Sequence, residues 1–174
     1  AVKTPGTSIF PYLQENLDDI ITIEDDELIV AFLDVLENHK LLVENSGLLT
    51  VAALRHLPAE NKKIVSILSG GNMDIITLSS VVQNGLIQRS RIFTVSVCLP
   101  DVPGQLNKVS KIIADAQGNV IKLEHNQFIS VNRNNSVELI ITMEAFGEDH
   151  KHAIIKSLQD AGYTPEEKNP RALY

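Results

Sequence analysis

A short apolar run, Ile64-Val65-Ser66-Ile67-Leu68, stops abruptly at Ser69-Gly70-Gly71-Asn72, and a new apolar periodicity begins beyond Asp74 with Ile75, Ile76, Leu78 and Val81. The pattern predicts a buried strand, a tight turn and a helix start. In α/β sheets ligands bind beyond the carboxyl ends of strands. Glycines let a flat ligand approach the backbone, and a helix start offers free N–H groups. Turns of this kind also serve as plain connectors. Asp74 reads best as the cap of the following helix.

The residues before this turn read as further α/β structure. Pro5-Gly6 and Pro11 mark a loop, and Ile20 to Ile23 a short β-rich strand. The acidic run Glu24 to Glu27 suits a helix N-terminus better than a metal site. The helix behind it would bury Leu28, Ile29, Phe32, Leu33 and Leu36, and end near a surface residue, His39. Ser46 is placed to cap a second helix, from Leu48 to about His56. A third, from Asp74 to Gln83, would stop at Asn84-Gly85. A short linker, about Leu86 to Ser90, follows.

From Ile92 the pattern changes. Phe93, Val95, Val97 and Leu99 alternate with Thr94, Ser96 and Cys98, a period of two. Asp101-Val102-Pro103-Gly104-Gln105-Leu106 turns into a helix with the stripe Leu106, Val109, Ile112 and Ile113, broken by Gly118-Asn119. Val120 to Phe128 and Val137 to Ala145 read as strands, with a hairpin signal at Asn132-Arg133-Asn134-Asn135. Ile154, Ile155, Leu158 and Ala161 mark a second helix, and a short strand begins at Tyr163-Thr164. The order βαββαβ predicts a ferredoxin-like sandwich. His150 and His152, two apart on a helix, do not share a face. Solvent exposure is the simpler reading for both, with a capping role for His150.

Val2-Lys3-Thr4-Pro5-Gly6, Leu42-Val43-Glu44-Asn45-Ser46-Gly47 and Ser69-Gly70-Gly71-Asn72-Met73-Asp74 occur in that order. Together they resemble the C-terminal part of the catalytic domain of threonine ammonia-lyase (threonine dehydratase), a fold-type II pyridoxal phosphate enzyme of the tryptophan synthase β-like α/β class. The remainder resembles an ACT domain, an amino-acid-sensing module. The resemblance implies two domains, 1–90 catalytic and 91–174 regulatory with a short C-terminal tail. It implies that Ser69 hydrogen-bonds the pyridine nitrogen of pyridoxal 5'-phosphate, that Gly70, Gly71 and Asn72 shape the cofactor pocket, and that Glu44 lies near the cofactor ring. It also implies an amino-acid effector site at Asp101, Gly104, Gln105, Leu106 and Asn107, at a strand-to-helix loop.

The parent enzyme would deaminate L-threonine to 2-oxobutanoate and ammonia, and serine to pyruvate, as a cytoplasmic homo-oligomer joined through ACT domains. The family's Schiff-base lysine, in Ser-Phe-Lys, and its phosphate loop do not occur here. The chain would thus be a fragment, inactive alone and with no catalytic residue of its own, and residues 1–90 would lack sheet neighbours. The family arginine two residues after His125 is replaced by Gln127, and Ala145-Phe146-Gly147 lacks a common threonine. The competing readings are a non-catalytic amino-acid-binding and dimerisation module, and a related serine dehydratase or racemase.

The formal charge of −7 argues against non-specific nucleic-acid binding. No apolar run reaches the roughly 20 residues of a membrane span. With one cysteine, Cys98, there is no intrachain disulfide and no multi-cysteine metal site, and the thiol is expected to be buried.

Overall fold

The computed structural model describes residues 4, 6–58, 61–126 and 136–169. They gather into two compact units, Ala1–Met73 and Asp74–Tyr174.

The first unit holds α1 (Phe10–Asn16), α2 (Asp25–His39) and α3 (Asn45–Ala52), the last running into a 3-10 turn, Ala53–His56. Pro11 lies in the first turn of α1 rather than in a loop, because a proline there gives up an N–H that would have no helical partner. Glu24 and Glu27 close a reciprocal capping box at the start of α2, so the acidic run is spent on the helix entrance. Leu28, Ala31, Phe32, Leu33 and Val35 are the buried face of α2, with Ile29 and Leu36 at its margin. Phe32, Leu33 and Leu48 are at most 1% exposed where α2 meets α3. A fully buried side chain of this size contributes about 1.5–3 kcal/mol.

The strands expected at Ile20–Ile23 and Ile64–Leu68 do not form. A strand needs a ladder partner, and neither segment has one among the described residues. The 64–68 segment is instead held by side chains: Thr50 Oγ1 donates to the Ile67 carbonyl (3.0 Å) and Ser66 Oγ to the Thr50 carbonyl (3.4 Å). Val65 and Ile67 remain 89% and 73% exposed.

The second unit opens with α4 (Ile75–Gln88), followed by β1 (Ile92–Pro100), α5 (Gln105–Asp115), β2 (Asn119–Asn126), β3 (Ser136–Glu144), α6 (Glu148–Asp160) and β4 (Glu166–Lys168). Gly85 does not stop α4. It is buried inside the helix, which runs on to Gln88 and absorbs most of the expected linker. The sheet order is β2-β3-β1-β4, antiparallel throughout, which is that of the ferredoxin-like sandwich. Period-two alternation sends Phe93, Val95, Val97 and Leu99 inward to meet Leu139, Ile141 and Met143. Val109 and Ile113 of α5 and Ile154 and Leu158 of α6 close the core over one sheet face.

A bulge between Val120 and Lys122 shifts the register of β2 against β3. The last strand starts at Glu166, beyond the expected start at Tyr163-Thr164. Gln117, at φ 63, carries the left-handed turn after α5, so Gly118 is not the breaker. Gly118 is small for another reason: a β-carbon there would stand 2.8 Å from Ile113 Cγ2 and 3.0 Å from Ile154 Cδ1. Cys98 is exposed rather than buried: it faces away from the core and lies beyond Thr94–Ser96, the stretch of β1 that β4 pairs with. The hairpin expected at 132–135 lies outside the described residues. No helix among the described residues is long and apolar enough to cross a membrane.

Candidate functional site

In the first unit, two of the sequence motifs converge. Glu44 caps α3 with extended backbone (ψ 162), and its amide donates to the Gly70 carbonyl (3.2 Å). Ser46 is not the cap. It lies inside the first turn and donates its hydroxyl to Glu44 Oε1 (2.7 Å). Gly70 is left-handed (φ 74), and a β-carbon on it would stand 2.5 Å from that same carboxylate oxygen. A β-carbon on Gly47 would stand 1.9 Å from the Ser69 carbonyl oxygen, and one on Gly71 3.0 Å from that of Leu42. The glycines let two chain segments lie flush, backbone on backbone.

Ser69, Gly70, Gly71 and Asn72 form the exposed outer edge of this junction. The group implied by the resemblance, pyridoxal phosphate, is a flat ring with an acceptor nitrogen. Ser69 is exposed and carries a hydroxyl donor, while the Glu44 carboxylate stands against the face of Gly70 where a β-carbon would sit. A hydroxyl donor of this kind is compatible with the ring end of such a group.

In the second unit, a cavity of about 310 Å³ opens beside the β1–α5 loop. Asp101, Gly104, Gln105 and Leu106 line one side of it, and Leu99, Val137 and Leu139 form an apolar floor. Gly104 caps α5 at φ 89, with nothing within 4 Å of where a β-carbon would sit, so its role is conformational. The Tyr163 hydroxyl reaches Gln105 Oε1 at 3.4 Å. Asn107, one residue further on, is exposed and does not line this cavity.

His125 lines the cavity from β2. Sequence reasoning used this residue only as a landmark; its position four residues into the shifted half of β2 becomes informative only with the bulge in place. A second concavity, of about 540 Å³, lies on the outer face of the sheet. There Lys122 pairs with Glu124 (3.1 Å) and Thr94 Oγ1 meets Thr142 Oγ1 (2.9 Å).

The histidines of α6 differ from each other. His150 is partly buried: its Nδ1 accepts from the Phe146 amide (3.0 Å) and its Nε2 lies 2.8 Å from the Ala116 carbonyl, to which it donates. It thus caps its own helix and ties it to the end of α5. His152 is exposed and lies 3.0 Å from Glu148. No cluster of three or more metal-ligating side chains occurs among the described residues.

No family model matches the chain. Among curated proteins, the L-threonine ammonia-lyase of Geobacter sulfurreducens is 36% identical over 165 residues, covering 94% of this chain and 41% of that protein. The chain is a relative of the threonine ammonia-lyases. The L-threonine ammonia-lyase of Thermotoga maritima is 29% identical over 164 residues, again covering 94% of this chain and 41% of that protein. The chain therefore spans about two-fifths of the length of these curated lyases. Among solved structures, prephenate dehydratase from Streptococcus mutans superposes with a TM-score of 0.38 at 19% identity, covering 44% of this chain and 40% of that one.

Proposed function

We propose that this chain is the C-terminal part of a pyridoxal-phosphate-dependent threonine ammonia-lyase, residues 1–90 belonging to the catalytic domain and 91–174 forming its ACT regulatory domain. The observation that carries the reading is the 36% identity sustained over 94% of the chain, across both units. The seating of Glu44 and Gly47 against Ser69 and Gly70 supports it, because motifs far apart in sequence meet at one exposed edge.

In this reading Ser69 holds the pyridine nitrogen, Gly70, Gly71 and Asn72 shape the floor under the ring, and Glu44 stands beside it. When bound, the cofactor supplies an electron sink that allows an α-proton and a β-hydroxyl to be lost from the amino acid. A serine hydroxyl is a weak acid, so it donates a hydrogen bond without forcing a proton onto the ring. A moderate sink suits prompt loss of the β-hydroxyl as water; the enamino acid released then takes up water, giving 2-oxobutanoate and ammonia from threonine, and pyruvate and ammonia from serine. The lysine that anchors the cofactor belongs to the remainder of the parent protein, so the chain alone is inactive.

The test is 2-oxo acid formation from threonine and serine by the intact parent. Ser69→Ala should lower kcat with the internal absorbance band of the bound cofactor retained. A parent that racemises serine, or that shows no such band, overturns the reading.

A second reading, a non-catalytic amino-acid-binding and dimerisation module, is favoured by the cavity at Asp101, Gly104, Gln105, Leu106 and His125. The free amides at the start of α5, with Asn107 beyond, would take an effector's carboxylate, and Leu99 and Leu139 its side chain. Titration of the chain with isoleucine, valine and serine, followed by amide shifts at 104–107, tests this. Sedimentation tests the homo-oligomer. A cytoplasmic setting goes with the same proposal.

A further inference from the structure

The last turn of α4 ends in a Schellman arrangement. The Arg91 amide donates to the Leu86 carbonyl (2.8 Å) and the Ser90 amide to the Ile87 carbonyl (2.9 Å). The left-handed residue of this motif is Ser90, at φ 52, and it is buried. Glycine is the usual occupant, because a β-carbon is penalised there. An outlier of this kind points to a constraint beyond the turn itself.

That constraint is visible in the side chains. The Ser90 hydroxyl donates to the Glu148 carboxylate at the start of α6. Glu148 Oε1 lies 3.1 Å from Lys151 Nζ, and the same ammonium lies 3.0 Å from Glu167 Oε2. Lys151 is only 9% exposed, so its charge depends on both carboxylates. Glu167 is the middle residue of β4, a three-residue edge strand paired with β1. The Ala145 amide also donates to the Arg91 carbonyl (2.9 Å), which brings the β3–α6 loop to the same junction.

We propose that Ser90, Glu148, Lys151 and Glu167 form a coupling relay that makes release of the last turn of α4 and release of β4 one cooperative event. Each end buries little of itself. Within α4 only Gly85 is buried, and β4 exposes all three of its residues. The buried ammonium joins them. Loss of Glu167 leaves Lys151 with Glu148 alone, draws that carboxylate toward the lysine and weakens its hold on Ser90. Loss of the Ser90 hydroxyl acts in the opposite direction through the same two residues. The relay stands whether or not the β1–α5 cavity binds an amino acid.

The experiment is native-state hydrogen exchange on the chain, with Glu167→Gln, Ser90→Gly and the double variant. Glu167→Gln is expected to speed exchange of the Arg91 amide, which donates to the Leu86 carbonyl, by about fivefold or more. Ser90→Gly keeps the left-handed turn, relieves its strain and removes the hydroxymethyl group; it is expected to speed exchange across Glu166–Lys168. In the double variant the changes at Arg91 should fall short of the sum of their logarithms. The relay is overturned if Glu167→Gln leaves Arg91 unchanged or if the two changes add. Should Glu167→Gln detach β4 outright, Ser90→Gly still decides: unchanged exchange at Glu166–Lys168 overturns the relay.

Discussion

The α-carbon of Gly47 lies so close to the Ser69 carbonyl that a β-carbon would stand 1.9 Å from its oxygen. The neighbour is backbone, not the free end of a flexible side chain, so the clash can be relieved only by separating α3 from the glycine turn. Gly47→Ala is expected to destabilise the first unit by about 3 kcal/mol, at the upper end of overpacking costs. Gly71→Ala, where the nearest atom is the Leu42 carbonyl oxygen at 3.0 Å, should cost markedly less. Urea unfolding of the two variants, followed by amide exchange within α2 and α3, checks the order. Equal costs would mean that the contact at Gly47 is not tight in solution.

Gly104 provides the opposite case. It has φ 89 and nothing within 4 Å of the position a β-carbon would take. Gly104→Ala therefore meets strain without a clash, and should cost about 1 kcal/mol from the left-handed conformation alone. Gly104→Asn should recover part of that, because asparagine tolerates the region better. Thermal unfolding distinguishes this from a packing defect, which asparagine would worsen.

The second unit was legible in the sequence because its strands and helices bury one face against each other locally. Val95 and Val97 alternate with Thr94 and Ser96 at period two, and Val109 and Ile113 recur at helical spacing, so each face announces its own core. The first unit was less legible for the same reason reversed. Val65 and Ile67 have the composition of a buried strand, but a ladder is a relation between segments, and no partner for them occurs among the described residues. At the candidate site, the motif residues could be named but their joint geometry could not: Glu44 and Gly70 are distant in sequence, and only the fold puts the Glu44 amide on the Gly70 carbonyl. Gly118 serves close packing, and in sequence such a glycine looks identical to one that makes a turn; Gly85 lies buried inside a helix although Asn84-Gly85 has the sequence of a stop.

Gly118 allows a test of that distinction. A β-carbon there meets Ile113 Cγ2 at 2.8 Å and Ile154 Cδ1 at 3.0 Å, both side-chain atoms, and its φ is not positive. Gly118→Ala should cost about 1–2 kcal/mol by overpacking. Ile154→Val removes the Cδ1 methyl, and by itself should cost about 1 kcal/mol. The two together should cost less than the sum, because the second change makes room for the first. Additive losses in melting temperature would show that Ile113, not Ile154, sets the limit.

Asp74 caps α4: its Oδ1 accepts from the Ile76 amide (3.0 Å) and the Thr77 amide (2.9 Å), and the Thr77 hydroxyl donates to Oδ2. The Thr77 hydroxyl first, then the Thr77 amide, hold the carboxyl below its ordinary value. The folded helix thus favours the ionised form, and the unfolded chain takes up its proton at a higher pH. The contribution of the cap is complete above the unfolded carboxyl's value, about 3.9 for a free aspartate, and is lost as pH falls through the lowered folded value. Asp74→Ala should therefore lower the urea midpoint most at neutral pH, with the gap to the wild type narrowing in acid. Asp74→Asn keeps an acceptor oxygen without a titrating charge, so its midpoint should lie between the two at neutral pH and meet the wild type in acid. A gap between Asp74→Ala and the wild type that is equally wide at both ends of the titration would mean that the cap acts through shape alone, with no part played by its charge.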